Sequence, residues 1–171
     1  MPTHSLGASA LLLTLCATTA TLAAEPSGCD KFKWDIARER AALTATNTPK
    51  LDSGADIAAL PASSLSLSLR PAADAKLPTP PERAPKDGTF AGFARITTAP
   101  KVGIYTVSLS AAAWIDVVQD GKILKPIAFS GATDCDGIRK TVKYELGAQP
   151  VLLQISGAPE AVISVAILPA E

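Results

Sequence analysis

Apolar residues in the second half of the chain follow the two-residue period of β-strands. Tyr105, Val107 and Leu109 alternate with polar residues in one run, and Gly, Pro or Asp separates the runs. The dipeptide Asp120-Gly121 is a strong two-residue hairpin signal. The predicted strands are 89–96, 105–109, 114–118, 122–129, 141–146, 151–156 and 162–168. These short strands, with turn signals every 8 to 12 residues or so, predict a mainly β domain over 88–171, an antiparallel, jelly-roll-like β-sandwich.

A helical period marks the segment near the N-terminus. Phe32, Ile36 and Leu43 have the spacing of one apolar helix face, and Asp30 or Asp35 can cap its start. We therefore expect one short amphipathic helix within a helical segment from 25 to 45. The charged residues of this segment are expected largely on its exposed side: Asp35, Arg38, Glu39 and Arg40.

The segment from 46 to 87 is rich in Pro, Ala and Ser. Leu65, Leu67 and Leu69 alternate with serines, which predicts one strand. The prolines between 71 and 85 remove backbone donors and favour extended conformations. We interpret this segment as a connector that runs over a surface.

The first 24 residues contain no Lys, Arg, Asp or Glu and have a leucine-rich centre. Ala23 and Ala24 close this stretch, which is typical of a secretory signal peptide that is removed. An uncleaved membrane anchor and a lipoprotein acylated at Cys16 or Cys29 are the alternatives. Cleavage predicts a periplasmic or secreted protein with no membrane span.

Cleavage would leave Cys29 and Cys135 as the two cysteines of the mature chain. Thiols oxidise in the compartments that exported proteins reach, so we expect one disulfide between them. It would close a loop of about 100 residues, for which the chain-entropy model gives up to about 4.7 kcal/mol.

Charge and histidine content exclude several functions. The chain has 16 basic and 16 acidic residues and a formal net charge of zero, so it offers no net field to attract nucleic acid. Its one histidine, His4, lies in the predicted signal. The mature chain therefore lacks the imidazole that serine or cysteine triads and His-based metal sites require.

A hydrolase that uses only two carboxylates stays open as an alternative. The acidic candidates in the predicted sandwich are Asp116, Asp120, Asp134, Asp136, Glu145 and Glu160. Their positions in the sequence do not fix the distance between any two of them.

Five residues are candidates for ligand binding. Trp114 could form a sugar-binding platform or pack in the core, and Arg139 and Lys140 could bind a carboxylate or phosphate. Asp134 and Asp136, followed by a glycine, superficially resemble the start of a calcium loop. A turn that carries the disulfide explains this loop better, so we expect no cofactor, with calcium as a weak alternative.

Three strand-like runs resemble the β-sandwich of bacterial pre-peptidase C-terminal domains: 103–109, 117–121 and 151–156. The chain as a whole is more similar to a family of small uncharacterised exported proteins of Gram-negative bacteria. The similarity rests on Cys29–Trp34, Trp114–Val118 and Cys135–Lys140. That family has no established activity, so the resemblance implies export and a β-sandwich but no reaction.

These observations together predict an exported, non-catalytic binding or interaction module. Its partner would be an unidentified protein or carbohydrate of the cell envelope. A His-independent hydrolase, for example a glycosidase, is one alternative, and a structural envelope protein with an exposed apolar patch is the other.

Overall fold

The computed structural model describes Met1 and residues 24–171, so the predicted signal peptide lies outside the described residues. Its strands, numbered in chain order, form two sheets. Sheet 1 has the spatial order β1 (Lys50–Asp52), β3 (Ser64–Ser68), β12 (Val162–Pro169), β6 (Gly103–Leu109), β10 (Lys140–Leu146) and β9 (Ala128–Gly131). Sheet 2 has the order β2 (Ala55–Ile57), β5 (Phe90–Ile96), β11 (Val151–Ala158), β7 (Trp114–Gln119) and β8 (Lys122–Ile123), and β4 (Arg70–Pro71) also pairs with β5.

The two sheets pack face to face, which confirms the predicted mainly β sandwich. Alternate strand residues from both sheets form one buried core that includes Leu67, Val107 and Leu153. Most strand pairs are antiparallel, as expected, but the edge pairs β1–β3 and β2–β5 are parallel. The predicted hairpin turn is present, but the strand predicted over 122–129 is divided into β8 and β9, which lie in different sheets. At the turn, Asp120 and Gly121 both have positive φ, of 51° and 70°. These angles match the turn type that Asp-Gly favours.

One lateral side of the sandwich is closed by the chain itself. β1 lies at the edge of sheet 1 and β2 at the edge of sheet 2, with only Ser53 and Gly54 between them. The Ser53 amide donates to Ser68 O (3.0 Å) and the Gly54 amide donates to Phe93 O (2.8 Å), so this crossing is bonded to both sheets. The passage from β3 to β4 crosses on the same side.

The N-terminal segment is less helical than its apolar period predicts. It contains a 3-10 turn at Cys29–Lys31 and one α-helix, α1 (Ala37–Leu43). Residues 32–34 between them form bends, and the Lys33 amide donates to Ser130 Oγ of β9 (2.9 Å). This contact with a strand replaces a helical hydrogen bond. Asp35 Oδ1 accepts from the Ala37 amide (2.9 Å), so one of the two expected capping residues does bond the helix start.

Glu39 is buried, contrary to the exposed position predicted for it. Its side chain is 5% exposed, and its Oε1 accepts a hydrogen bond from Thr106 Oγ1 (2.8 Å). The outer face of sheet 1 beneath α1 carries hydroxyl side chains, and Ser64 Oγ also donates to Ala42 O (2.6 Å). The helix therefore docks on a sheet face that is partly polar, where the Glu39 carboxylate has a hydrogen-bond donor.

The segment predicted as a connector is part of the sandwich. The expected strand around Leu67 is present as β3, but β1, β2 and β4 lie in the same segment and join both sheets. Beyond β4 the chain crosses the outer face of sheet 2. Gln154 fixes it there, because its Nε2 donates to Thr79 O (3.0 Å) and its Oε1 accepts from the Thr79 backbone amide (2.9 Å). We call residues 75–87 the covering segment.

The expected disulfide joins Cys29 to Cys135, with 4.8 Å between their Cα atoms. Cys135 packs with Ile36, Leu43 and Ile138 in a second, smaller apolar cluster between the helix and sheet 1. The bond thus attaches the N-terminal segment to the sandwich.

Candidate functional site

A cleft of about 780 Å³ opens on the side opposite the chain crossing. It lies between β9 and β10 of sheet 1 and β7 of sheet 2, and residues 82–86 of the covering segment form another wall. We call this space the inter-sheet cleft. Its volume falls within the range of small-molecule sites in proteins.

The apolar floor of the cleft follows from strand alternation. Lys140, Val142 and Tyr144 point to the same side of β10, toward the core. Phe129 of β9 is the direct cross-strand neighbour of Val142 and therefore faces the same side. Tyr144 Oη donates to Ile115 O (3.1 Å), which ties the two sheets together at the cleft floor.

Lys140 ends this stripe with a charge. Its Nζ donates to Ala113 O (3.2 Å) at the start of β7, so its side chain spans the gap between the sheets. Burial lowers the pKa of Lys140, and the positive charges of Arg139 and Arg83 lower it further. Three cations therefore share one end of the cleft, where Glu25 and Glu82 offset part of their charge, and a bound anion would relieve the repulsion that is left.

Arg139 already binds a carboxylate at the cleft mouth. Its guanidinium forms an ion pair with Glu25, and both residues line the cleft. The Arg139 side chain is 25% exposed and that of Glu25 is 68% exposed. The mostly buried Arg139 side chain thus holds a carboxylate at the mouth, and the Glu25 side chain that carries this carboxylate is largely exposed to solvent.

Trp114 lines the cleft and is partly buried. Lys140 Nζ lies 5.0 Å and Arg83 Cζ 5.9 Å from its ring centroid, within the range of cation–π contacts. Its Nε1 donates to Asp116 Oδ1 (2.8 Å). The ring therefore makes cation–π contacts with two side chains and is not an open stacking surface for a sugar.

Two buried polar atoms near the cleft have no hydrogen-bond partner among the described residues. One is Asp116 Oδ2 and the other is Ser156 Oγ, and both residues are 1% exposed. Ser156 lines the cleft. Burial raises the pKa of Asp116. Hydrogen bonds from the Trp114 side chain and the Glu82 backbone oppose this shift, and the charge of Glu82 adds to it.

The two other sequence candidates, Asp134 and Asp136, do not line the cleft. Asp134 accepts hydrogen bonds from Ser27 Oγ (2.5 Å) and Thr133 Oγ1 (3.2 Å), which lower its pKa. The backbone oxygen of Asp136 accepts from Arg40 Nε (2.7 Å). These contacts attach the disulfide loop to the N-terminal segment, and across residues 24–171 no cluster of three acidic, histidine or cysteine side chains could hold a metal ion.

The structure thus brings together Trp114, Arg139 and Lys140 of the predicted set. It adds Phe129 and Glu25, which the sequence did not single out. Glu25 is 114 residues from its partner Arg139, so local patterns carry no signal for this contact. The alternation of Lys140, Val142 and Tyr144 could have predicted part of the site from the sequence, because it places a cation at the end of a row of residues that face the core.

The chain matches no protein-family model, no curated protein and no solved structure. The resemblance to exported Gram-negative proteins and to pre-peptidase domains therefore stays a prediction from the sequence. In the part of the chain that the structure describes, no helix is both long and apolar enough to span a membrane.

Proposed function

We propose that the chain is an exported, non-catalytic binding module that holds a small anionic ligand in the inter-sheet cleft. The observation that carries this proposal is the gathering of Arg83, Arg139 and Lys140 at one end of a cleft with an apolar floor. Clefts with apolar walls and a few convergent polar groups are the usual form of small-molecule sites. The disulfide is compatible with export, since such bonds persist in oxidising compartments.

A cleft-filling variant tests the site. Ala112 is exposed at the cleft and Ala148 is exposed away from it, so Ala112→Trp and Ala148→Trp form a matched pair. A screen of small anions by NMR should find ligands that shift the amide signals of β9 and β10. Ala112→Trp should abolish these shifts and Ala148→Trp should preserve them. Equal binding by both variants would place the ligand elsewhere.

Export is tested separately by the N-terminal sequence of the protein recovered from the periplasm or medium. Cleavage after Ala24 predicts a chain that starts at Glu25, and cleavage after Ala23 one that starts at Ala24. An intact N-terminus on cytoplasmic protein would contradict export.

A carboxylate hydrolase is the second candidate, because one specific pair favours it. Asp116 lies near Glu82, and a carboxyl with a raised pKa beside a second carboxyl is typical of acid–base catalysis. Asp116 is only 1% exposed, however, and does not line the cleft. Turnover of glycosides or esters that Asp116→Asn or Glu82→Gln abolishes would favour this candidate over the binding module.

A further inference from the structure

The ion pair between Glu25 and Arg139 indicates what kind of head group the cleft accepts. The guanidinium is partly buried at the mouth and carries a carboxylate there. A ligand carboxylate would find the same donor, with Lys140 close to it in the same end of the cleft. Exposed ion pairs contribute little stability, so exchanging Glu25 for a ligand costs little.

The exposed Phe129 side chain indicates that the rest of the ligand is apolar. Its side chain is 61% exposed, although it faces the same side as the buried Val142. Lys33 Nζ lies 4.8 Å from the Phe129 ring centroid and leaves most of the ring open. A large aromatic residue that continues a core-facing row into an open cleft offers packing surface for an apolar group.

We propose that the inter-sheet cleft binds an amphipathic carboxylate, whose head group displaces Glu25 from Arg139 and whose apolar body packs on Phe129 and Val142. This inference rests on the proposed function, since it names the ligand class of the same cleft. Glu25 then acts as an internal competitor for the head group. Neutral sugars fit less well, because the Trp114 ring already carries two cations. Cationic ligands are repelled by the same charges.

Three probes of equal chain length test the ligand class: octanoate, octan-1-ol and octylammonium. Calorimetry on the purified protein should show octanoate binding at least about tenfold more tightly than either of the others, because it alone gains the charge-assisted contact. Equal affinity for octanoate and octan-1-ol would overturn the carboxylate assignment, and so would the absence of octanoate binding.

Variants at the two ends of the cleft test the geometry. Glu25→Ala should tighten octanoate binding about two- to fivefold by removing the competitor, and Arg139→Gln should weaken it several-fold, with Lys140 left as a cation at that end of the cleft. The Asp56–Arg95 ion pair lies elsewhere on the surface, so Asp56→Ala and Arg95→Gln are matched controls that should change nothing. Phe129→Ala should weaken binding, whereas Ile127→Ala, which removes another exposed apolar side chain outside the cleft, should not.

The two levels of the proposal fail in different ways. If Ala112→Trp blocks the ligands found by screening but Glu25→Ala and Arg139→Gln leave octanoate affinity unchanged, the cleft is a binding site and the carboxylate inference is wrong. If Ala112→Trp blocks no ligand, the proposed function fails and the inference fails with it.

Discussion

Asp116 is a buried carboxylate with one paired and one unpaired oxygen. Its Oδ1 accepts from Trp114, and its Oδ2 has no partner among residues 24–171. Burying an ionised group without full hydrogen bonding destabilises the folded state. Glu39 is also buried, but Thr106 donates to it. The sequence pattern predicted an exposed Glu39. It carried no signal for the burial, because the Thr106 hydroxyl that donates to Glu39 lies 67 residues away.

The raised pKa of Asp116 makes stability depend on pH. The folded protein binds this proton more tightly than the unfolded chain, whose carboxyl has the ordinary pKa of 3.8. The resulting stabilisation is fully present below that pKa and is lost as pH rises through the folded pKa. The wild type should therefore gain stability relative to Asp116→Asn as pH falls from 7 to 4, by at most about 1.4 kcal/mol per pH unit.

Urea unfolding of both proteins at several pH values measures this difference. Asp120→Asn is the matched control, because Asp120 is exposed in the hairpin turn. A stability difference between wild type and Asp116→Asn that does not change with pH would contradict the prediction.

Gln154 is the main polar attachment of the covering segment to sheet 2. Replacing it with Leu removes both hydrogen bonds to Thr79 and leaves a partly buried amide and carbonyl unpaired, a cost of about 1–3 kcal/mol. We expect local detachment, which would expose the bond after Arg83 to trypsin. Limited proteolysis should cleave Gln154→Leu there faster than the wild type.

Gln119 provides the matched control for this element. It is also buried and bonds the backbone of Gly147 and Gln149, at a different turn. Gln119→Leu should lose similar stability without faster cleavage after Arg83. Equal acceleration in both variants would mean that trypsin detects global unfolding instead of detachment.

Strands and turns were predictable where the local sequence pattern agrees with the contacts of the fold. The alternating leucines of β3 and the Asp120-Gly121 turn are two such cases, so this strand and this turn are present as expected. β1 and β2 have three residues each and no strong alternation, and they form only because β3 and β5 supply partners. For the cleft, Trp114 and Lys140 were identified by residue type, whereas their grouping depends on strand register that the sequence does not specify.

The disulfide acts on the whole molecule. It closes a loop with a sequence separation of 106, so in the chain-entropy model its removal costs up to about 4.7 kcal/mol. Reductant should lower the melting temperature and release the N-terminal segment, while the strands persist until global unfolding. Circular dichroism with and without reductant measures this effect. Two free thiols in denatured, unreduced protein from its natural compartment would contradict the bond.

The lateral crossing at Ser53 and Gly54 has a consequence for hydrogen exchange. Only two residues join the edge strands β1 and β2 there, whereas four residues, 124–127, join β8 to β9 on the cleft side. The shorter link holds the sheets together more tightly, so transient separation should increase toward the cleft, with the crossing as a hinge. The amides of Gly54 and Ile127 each donate across 2.8 Å, one at the crossing and one on the open side. Gly54 should exchange more slowly than Ile127 despite its equal bond length. A ligand that spans the cleft should slow the exchange of the Ile127 amide and leave that of Gly54 unchanged, because the sheets separate mainly on the cleft side.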